Sequence, residues 1–185
     1  MPKNASNLFQ LKITLTGSKP PIWRRIIVRS DIGLPKLHRV LQIVMGWDNA
    51  HLHAFRTSDE MYGEPDDMMN YMKNEAKVKL MNLLQREKDS LIYEYDFGDG
   101  WEHKVLLEKI LPYDETTKTP QCIKGKLACP PEDCGGIWGY YELLETLADP
   151  NHPDHDNMLE WLGEEFDPQA LDMDEINEIL ANYAD

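Results

Sequence analysis

The sequence lacks any apolar run that approaches the roughly 18 residues needed for a membrane-spanning helix. Its opening residues, MPKNASNLFQ, lack the charged start and long apolar stretch of a secretion signal. It also has no serine nucleophile elbow and no glycine fingerprint for nucleotides, which removes two large classes of enzyme. These absences predict a cytoplasmic protein with no membrane partner.

Cysteine is scarce, and its three copies all fall between residues 122 and 134, as Cys122, Cys129 and Cys134. An odd number of cysteines without a secretion signal favours reduced thiols over a disulfide framework. Three thiolates are one ligand short of a closed tetrahedral zinc site. The candidates for a fourth ligand are His103, on the hairpin described below, and His152 and His155. If the loop folds against the hairpin, His103 completes a structural zinc site. The alternatives are buried thiols without a metal and a pair that oxidises.

Positive charge is absent after Lys126, although acidic residues continue to Asp185 and the formal net charge is −14. Residues 1–56, by contrast, hold nine Lys or Arg against two acids. The simplest interpretation is that the acidic C-terminal part packs near the basic N-terminal part and neutralises it. The alternative is a DNA-associated protein, because contacts from Lys and Arg to phosphates supply most non-specific affinity for DNA. Those contacts would come from Arg24, Arg25, Arg29 and Arg39.

The periodicity of apolar residues and the turn residues between them predict the secondary structure. We expect strands over 8–17, 22–28 and 51–58, a helix over 34–46, a loop over 59–74, and either a strand or a short helix over 77–85. A hairpin follows over 91–110, and helices over 138–147, 154–163 and from Asp172 onward. This order defines an α+β fold with a mainly antiparallel sheet, one N-terminal helix and a C-terminal group of about three helices.

We expect a single domain over residues 1–185. Its parts are a sheet-rich part over 8–111, a Cys/Pro/Gly loop over 112–136 and an acidic helical part over 137–185.

The hairpin is the strongest local signal, and its register follows from separating apolar from polar side chains. A three-residue turn at Gly98-Asp99-Gly100 places Tyr95 opposite His103 and collects the aromatic side chains on one face. The same register sets Asp96 opposite Glu102. Because like charges facing each other across two strands are destabilising, we expect a neighbouring lysine or a bound cation to relieve them.

His51 and His53 form a His-x-His pair on a predicted strand. Alternate strand residues face the same side, and metal sites in hydrolases use such pairs. One alternative is therefore a metal-dependent hydrolase or nuclease built on His51, His53, Asp96 and His103. The simpler interpretation is two packed or hydrogen-bonded histidines, because Phe55 continues the same face as a core residue.

The segments YEYDFGDGWEH (93–103), ACPPEDCGGIWGY (128–140) and DPNHPDHDNMLEWLG (149–163) together resemble the plasmid pRiA4b ORF-3-like family. The resemblance extends over residues 8–180. It implies a compact intracellular α+β domain from a group with no established activity, and it transfers no catalytic residue to this chain.

We therefore expect a non-enzymatic binding or adaptor domain for an unknown protein or small-molecule ligand, with a structural zinc in the cysteine-rich loop. The metal-dependent hydrolase or nuclease is the first alternative. A DNA-associated plasmid or mobile-element protein is the second.

Overall fold

The computed structural model describes residues 6–65, 71–163 and 166–184, which form one sheet of eight strands and five α-helices. The strands are β1 (Leu8–Leu15), β2 (Trp23–Arg29), β3 (His53–Arg56), β4 (Met61–Gly63), β5 (Lys73–Asn74), β6 (Ser90–Tyr95), β7 (Trp101–Leu111) and β8 (Gln121–Lys126). The helices are α1 (Leu34–Met45), α2 (Leu80–Leu83), α3 (Gly136–Ala148), α4 (His155–Leu162) and α5 (Met173–Ala184). One turn of 3₁₀ helix covers Glu75–Lys77.

The sheet places its strands in the order β5-β4-β3-β6-β7-β1-β2-β8. Neighbouring strands run antiparallel, except that the short β4 and β5 pair in parallel. The predicted α+β class and mainly antiparallel sheet are therefore confirmed. β1 is an interior strand, because it pairs with β2 on one side and with β7, the second strand of the hairpin, on the other.

One face of the sheet carries the hydrophobic core, as the alternation within β1 predicts. Phe9, Leu11, Ile13 and Leu15 are at most 3% exposed, and the polar residues between them are only half-buried. α1 joins the same core through apolar residues spaced three and four positions apart. These include Leu34, Leu37, Leu41 and Val44. The helix ends at Gly46, whose φ of 82° suits a residue without Cβ.

The predicted helices are found in outline. α1 is the N-terminal helix and α3, α4 and α5 are the C-terminal ones, but the short α2 adds a helical turn between β5 and β6. Asp172 caps α5 as predicted, because its Oδ1 accepts a hydrogen bond from the backbone N–H of Glu175 at 2.9 Å. Among the described residues, no helix has the length and apolar character needed to cross a membrane.

Two predicted loops contain strands. β8 lies within the loop predicted over 112–136 and pairs with β2. The sequence did not predict this strand because Cys122 is its only buried residue, so apolar and polar residues do not alternate along it. β4 and β5 lie within the loop predicted over 59–74, of which residues 66–70 fall outside the described part of the chain.

The predicted register of the hairpin is wrong by two residues. Tyr95 faces Trp101, and Tyr93 faces His103, so residues 96–100 form the connection. The connection is longer than predicted because Asp96 leaves the strand with a φ of 54° and its carbonyl accepts a hydrogen bond from Gly100 N–H at 2.6 Å. The predicted separation of faces is kept, since a shift of two preserves which side each residue faces.

The like-charged pair across the hairpin is Glu94 and Glu102, rather than Asp96 and Glu102. Arg56, on the neighbouring strand β3, forms ion pairs with both carboxylates. An arginine of the adjacent strand therefore relieves the repulsion that the sequence assigned to a lysine or a bound cation.

Candidate metal centre

His51 and His53 do not face the same side, because β3 begins only at His53. His53 is 6% exposed and points into the protein, whereas His51 lies in the preceding bend with its side chain 30% exposed. The structure brings His51 together with Asp96, but it does not bring His53 or His103 to them: among the described residues, the group with metal-ligand spacing is His51, Asp96 and Asp133. The four-residue hydrolase centre predicted from the sequence is therefore not assembled.

The imidazole of His51 faces three carboxylates. Its Nε2 lies 3.0 Å from Oδ1 of Asp133, 3.7 Å from Oδ2 of Asp96 and 3.9 Å from Oε2 of Glu132. This nitrogen is shielded from solvent and has no hydrogen-bond partner in the described part of the chain. Two other buried atoms of the described residues also lack a hydrogen bond, Nε1 of Trp101 and Nε2 of His103. Neither belongs to a group with metal-ligand spacing, whereas Nε2 of His51 lies within ion-pair distance of three carboxylates, an arrangement that suits a cation.

Two of these carboxylates are fixed by one oxygen and present the other to His51. Asp96 Oδ1 accepts a hydrogen bond from Gly98 N–H at 2.9 Å, while its Oδ2 faces the imidazole. Glu132 Oε1 accepts hydrogen bonds from the hydroxyl of Tyr95 at 2.8 Å and from Asp48 N–H at 2.9 Å, while its Oε2 faces the imidazole. Outer hydrogen bonds of this kind orient the carboxylates of metal sites.

Tyr95 acts as a fixed donor at this site. Burial, together with its hydrogen bond to Glu132, raises the pKa of the Tyr95 hydroxyl. The hydroxyl therefore remains protonated and keeps Glu132 in place. It also accepts a hydrogen bond from Ala50 N–H at 2.9 Å, which fixes the bend that carries His51.

The site joins two segments distant in sequence, the hairpin connection and the cysteine-rich loop. Gly135 N–H donates to Oδ2 of Asp99 at 3.1 Å. A Cβ on Gly136 would collide with the carbonyl oxygen of Asp99, so this close approach requires glycine. Asp96 and Asp133 both have positive φ, 54° and 57°, a conformation that aspartate adopts more readily than most residues. The loop therefore does lie against the hairpin, as the zinc prediction required.

The spacing of the ligand atoms suits a small divalent cation. Bonds of about 2.1 Å to nitrogen and oxygen place neighbouring ligand atoms about 3.0–3.4 Å apart in octahedral or tetrahedral geometry. The 3.0 and 3.7 Å distances from Nε2 to Asp133 and Asp96 are close to this range. One imidazole with carboxylates suits Mn²⁺, Fe²⁺ or Zn²⁺. Because the Asp133 side chain is 66% exposed, one side of the site is open to solvent.

The predicted zinc ligands Cys122, Cys129, Cys134 and His103 are not brought together, and in the described residues no cysteine belongs to a group with metal-ligand spacing. The sulfur of Cys122 lies 3.9 Å from that of Met173, and the sulfur of Cys129 lies 3.7 Å from that of Met45.

All three thiols are held in the neutral form. Burial raises the pKa of Cys129 to about 11. Burial and the nearby Asp99 raise the pKa of Cys134 to about 12, and burial also raises that of Cys122. A thiol binds zinc as the thiolate, so zinc binding at any of these cysteines would release a proton.

His103 is a core residue. It is fully buried, its Nδ1 lies 3.3 Å from the carbonyl oxygen of Tyr93, and its ring contacts the Trp47 ring edge-on. Burial lowers its pKa to about 4, which keeps the imidazole neutral.

A second histidine cluster lines the same cavity as His51. His53 Nε2 lies 3.1 Å from both carboxylate oxygens of Glu75, which is 2% exposed. The ring of His38 stacks on that of His53 with centroids 3.5 Å apart. His38 Nδ1 is 2.8 Å from the hydroxyl of Tyr93, and burial lowers the pKa of His38 to about 3. We call His38, His53, Glu75 and Tyr93 the buried cluster.

The buried cluster borders a cavity of about 150 Å³, which His51 and Arg39 also line. Sequence reasoning missed His38 and Glu75, and also missed Asp133 and Glu132. The acidic pair Glu132-Asp133 is the feature of the sequence that could have indicated the site. It lies directly before Cys134, in a segment that was interpreted through its cysteines.

The four arginines predicted to contact DNA do not form one surface. Arg24 is 2% exposed and its guanidinium donates to the carbonyls of Val44 at 2.8 Å and Lys126 at 3.2 Å. Each of the other three lies elsewhere. Arg25 is paired with Glu108, Arg29 is paired with Asp31, and Arg39 is exposed at the rim of the cavity.

The fold and the site define an α+β protein with a mainly antiparallel sheet and a candidate metal centre between its hairpin and its cysteine-rich loop. The model of the plasmid pRiA4b ORF-3-like protein family matches residues 7–175, so the chain belongs to that family.

Two similar proteins cover almost the whole chain. The uncharacterized protein y4hQ of Sinorhizobium fredii is 40% identical over 182 residues, which are 97% of this chain and 93% of that protein. The crystal structure of MM3350, a protein of unknown function from Methanosarcina mazei Go1, is similar with a TM-score of 0.83 and 39% identity. The similarity covers 91% of this chain and 96% of that one.

Proposed function

We propose that the protein is a binding domain organised by a divalent cation, which His51, Asp96 and Asp133 hold. The observation that carries the proposal is the Nε2 atom of His51. It is shut off from solvent, faces three carboxylates, and makes no hydrogen bond with any described residue. A cation at this point would satisfy the imidazole and the carboxylates together.

The cation would join the cysteine-rich loop to the hairpin, since its ligands come from both. It therefore takes the role that the sequence assigned to a structural zinc, but with oxygen and nitrogen ligands in place of sulfur. The exposed side, beside Asp133, leaves coordination positions for water or for a donor atom of a ligand. This arrangement supports the binding or adaptor interpretation, because a partner with a carboxylate or imidazole could complete the coordination.

Calorimetric titration of chelator-treated protein with Zn²⁺ and with Mn²⁺ tests the proposal. We expect one cation to bind per chain. His51→Ala and Asp133→Asn should each lose most of the affinity, because each removes one direct ligand. Elemental analysis of the protein as purified identifies the cation that it carries.

The matched control is His155→Ala. His155 also lies beside a carboxylate, with Nδ1 3.1 Å from Oδ1 of Asp156, but no third ligand among the described residues accompanies the pair. Its removal should leave cation binding unchanged. Cation binding that survives His51→Ala but is lost in Cys129→Ser would overturn the proposal and favour the cysteine ligands instead.

A further inference from the structure

The outer face of the sheet, opposite the core, carries a concentration of positive charge. Strand registers place its cations side by side: Lys12 faces Arg25, and Arg25 faces Lys124, across three adjacent strands. On the same face Lys104 is opposite Thr14, Lys109 is opposite Gln10, and Lys126 is opposite Trp23. We call Lys12, Arg25, Lys104, Lys109, Lys124 and Lys126 the outer cationic face.

Most of this charge is not neutralised. Lys104, Lys124 and Lys126 are exposed and form no ion pair with any described residue. The carboxylate among these cations is Glu108, which accepts two hydrogen bonds from Arg25 at 2.5 and 2.8 Å. Further along the face, Glu94 and Glu102 are paired with Arg56. In a chain with a net charge of −14, this local concentration of exposed lysines would attract an anionic partner to one surface.

The outer cationic face also has a groove and apolar contacts. A groove of about 630 Å³ is lined by three cations, by the Glu108 carboxylate that Arg25 pairs with, by Gln10, and by apolar side chains that include Leu106 and Ile123. Ile123 is 42% exposed, although it lies on a sheet. Cations at the sides and apolar atoms between them suit a ligand with both phosphates and flat apolar groups.

The backbone positions that carry the cations are regularly spaced. Alternate residues of a strand lie about 6.8 Å apart, and neighbouring strands about 4.8 Å apart. Trp23 fixes two of the cations, because Lys12 Nζ and Arg25 Cζ each lie 5.1 Å from the centre of its ring. A pre-positioned row of cations binds a repeating anion with a smaller loss of side-chain freedom than mobile lysines do.

We propose that the outer cationic face binds single-stranded nucleic acid, with phosphates on the lysines and bases against the apolar groove. A sheet face is the surface on which several RNA-binding domains splay out single-stranded bases. A duplex hides its bases, so it would leave Leu106 and Ile123 without a contact. An anionic membrane would require larger exposed apolar groups than these two side chains. The inference is independent of the cation site.

Fluorescence anisotropy with a labelled oligothymidine tests the proposal. We expect a Kd of about 10⁻⁴–10⁻⁶ M at physiological salt, and tighter binding as the salt concentration falls. The double variant Lys104→Ala/Lys124→Ala should bind more weakly. Because each lost phosphate contact lowers the slope of log K against log salt by about 0.7 for single strands, the slope should fall by about 1.4.

The matched control is Lys77→Ala/Lys79→Ala, which removes the same charge from two exposed lysines next to α2. It should keep the salt slope of the unaltered protein, and circular dichroism should show that both variants are folded. Three results would each overturn the proposal. These are absence of binding at roughly 20 mM salt, equal losses in the two double variants, and tighter binding to duplex DNA or to anionic vesicles than to the single strand.

Discussion

His51 and His53 are two residues apart, yet they enter opposite environments. His53 lies in the buried cluster, where Glu75 satisfies its Nε2 from within the protein. His51 faces three carboxylates and has no hydrogen bond to its Nε2 among the described residues. Hydrogen bonding within the buried cluster stabilises the fold, whereas the surroundings of His51 are those for which we propose a bound cation.

The largest expected effect is on stability, and it separates the two clusters directly. Glu75→Ala leaves the His53 imidazole buried without its partner, so we expect the free energy of unfolding to fall by about 3–5 kcal/mol. His51→Ala, at a partly exposed side chain without a hydrogen bond, should change it by less than about 1 kcal/mol. Urea denaturation of both variants without added metal measures the difference. Equal losses of unfolding free energy in the two variants would contradict a stabilising role that is specific to the buried cluster.

Acid should destabilise the protein through its buried histidines. His38 and His103 have pKa values lowered from 6.5 to about 3 and about 4, so between these values and pH 6.5 only the unfolded chain takes up the protons. Stability is therefore lost as the pH falls below 6.5, by at most about 1.4 kcal/mol per pH unit for each histidine. Urea denaturation at several pH values between 7.5 and 4.5 measures the slope.

The variant His38→Asn should reduce this slope more than His152→Asn, which changes a half-buried histidine in the segment before α4. A free energy of unfolding that is independent of pH over this range contradicts the account of the buried cluster.

Contact between the cysteine-rich loop and the hairpin should prove necessary for the cation site. Gly136→Ala combines a positive φ with a collision at Asp99, whereas Gly100→Ala has a similar φ of 67° and an open environment. The positive φ should lower the free energy of unfolding by about 1–2 kcal/mol in both variants. The collision should add about 1–3 kcal/mol in Gly136→Ala alone. Thermal denaturation and cation titration together check this, and equal cation affinity in the two variants would contradict it.

The smallest expected effects come from removing the hydroxyl of Tyr95 or that of Tyr93. Tyr95→Phe removes the donor that holds Glu132, so we expect cation affinity to fall about 10–100-fold. Tyr93→Phe removes a hydroxyl bonded to His38 and Gln42, so it should cost about 1–3 kcal/mol of stability without weakening cation binding. Titration calorimetry and urea denaturation of both variants give the comparison. A weaker cation affinity in Tyr93→Phe would show that the two clusters are coupled.

Regular segments of the fold were predictable from the sequence. The alternation of β1, the apolar spacing of α1 and the cap at Asp172 are local signals, and each is found in the structure. The register of the hairpin depends on Asp96 adopting a positive φ, which a single sequence does not reveal. β8 depends on pairing with β2, nearly a hundred residues earlier, and its own side chains carry no period.

The site was predicted in part. His51 and Asp96 were named, but they were grouped with His53 and His103, which the structure directs into the core. The interpretation of the His-x-His pattern assumed that both histidines lie in one extended strand. His51 instead lies in a bend before β3. Asp133 was missed because a carboxylate in a loop has no pattern of its own. Only the contact between loop and hairpin gives it a partner.

The position of β1 within the sheet determines when the protein can fold during synthesis. β1 pairs with β7, and Leu8 faces Leu111. The pairing of these two strands is therefore complete only after the first 111 residues have left the ribosome. Until then the paired β1 and β2 present an open edge rich in apolar residues, which is prone to association with other chains. We therefore expect nascent chains shorter than this to need chaperones, and the finished chain to fold slowly for its size.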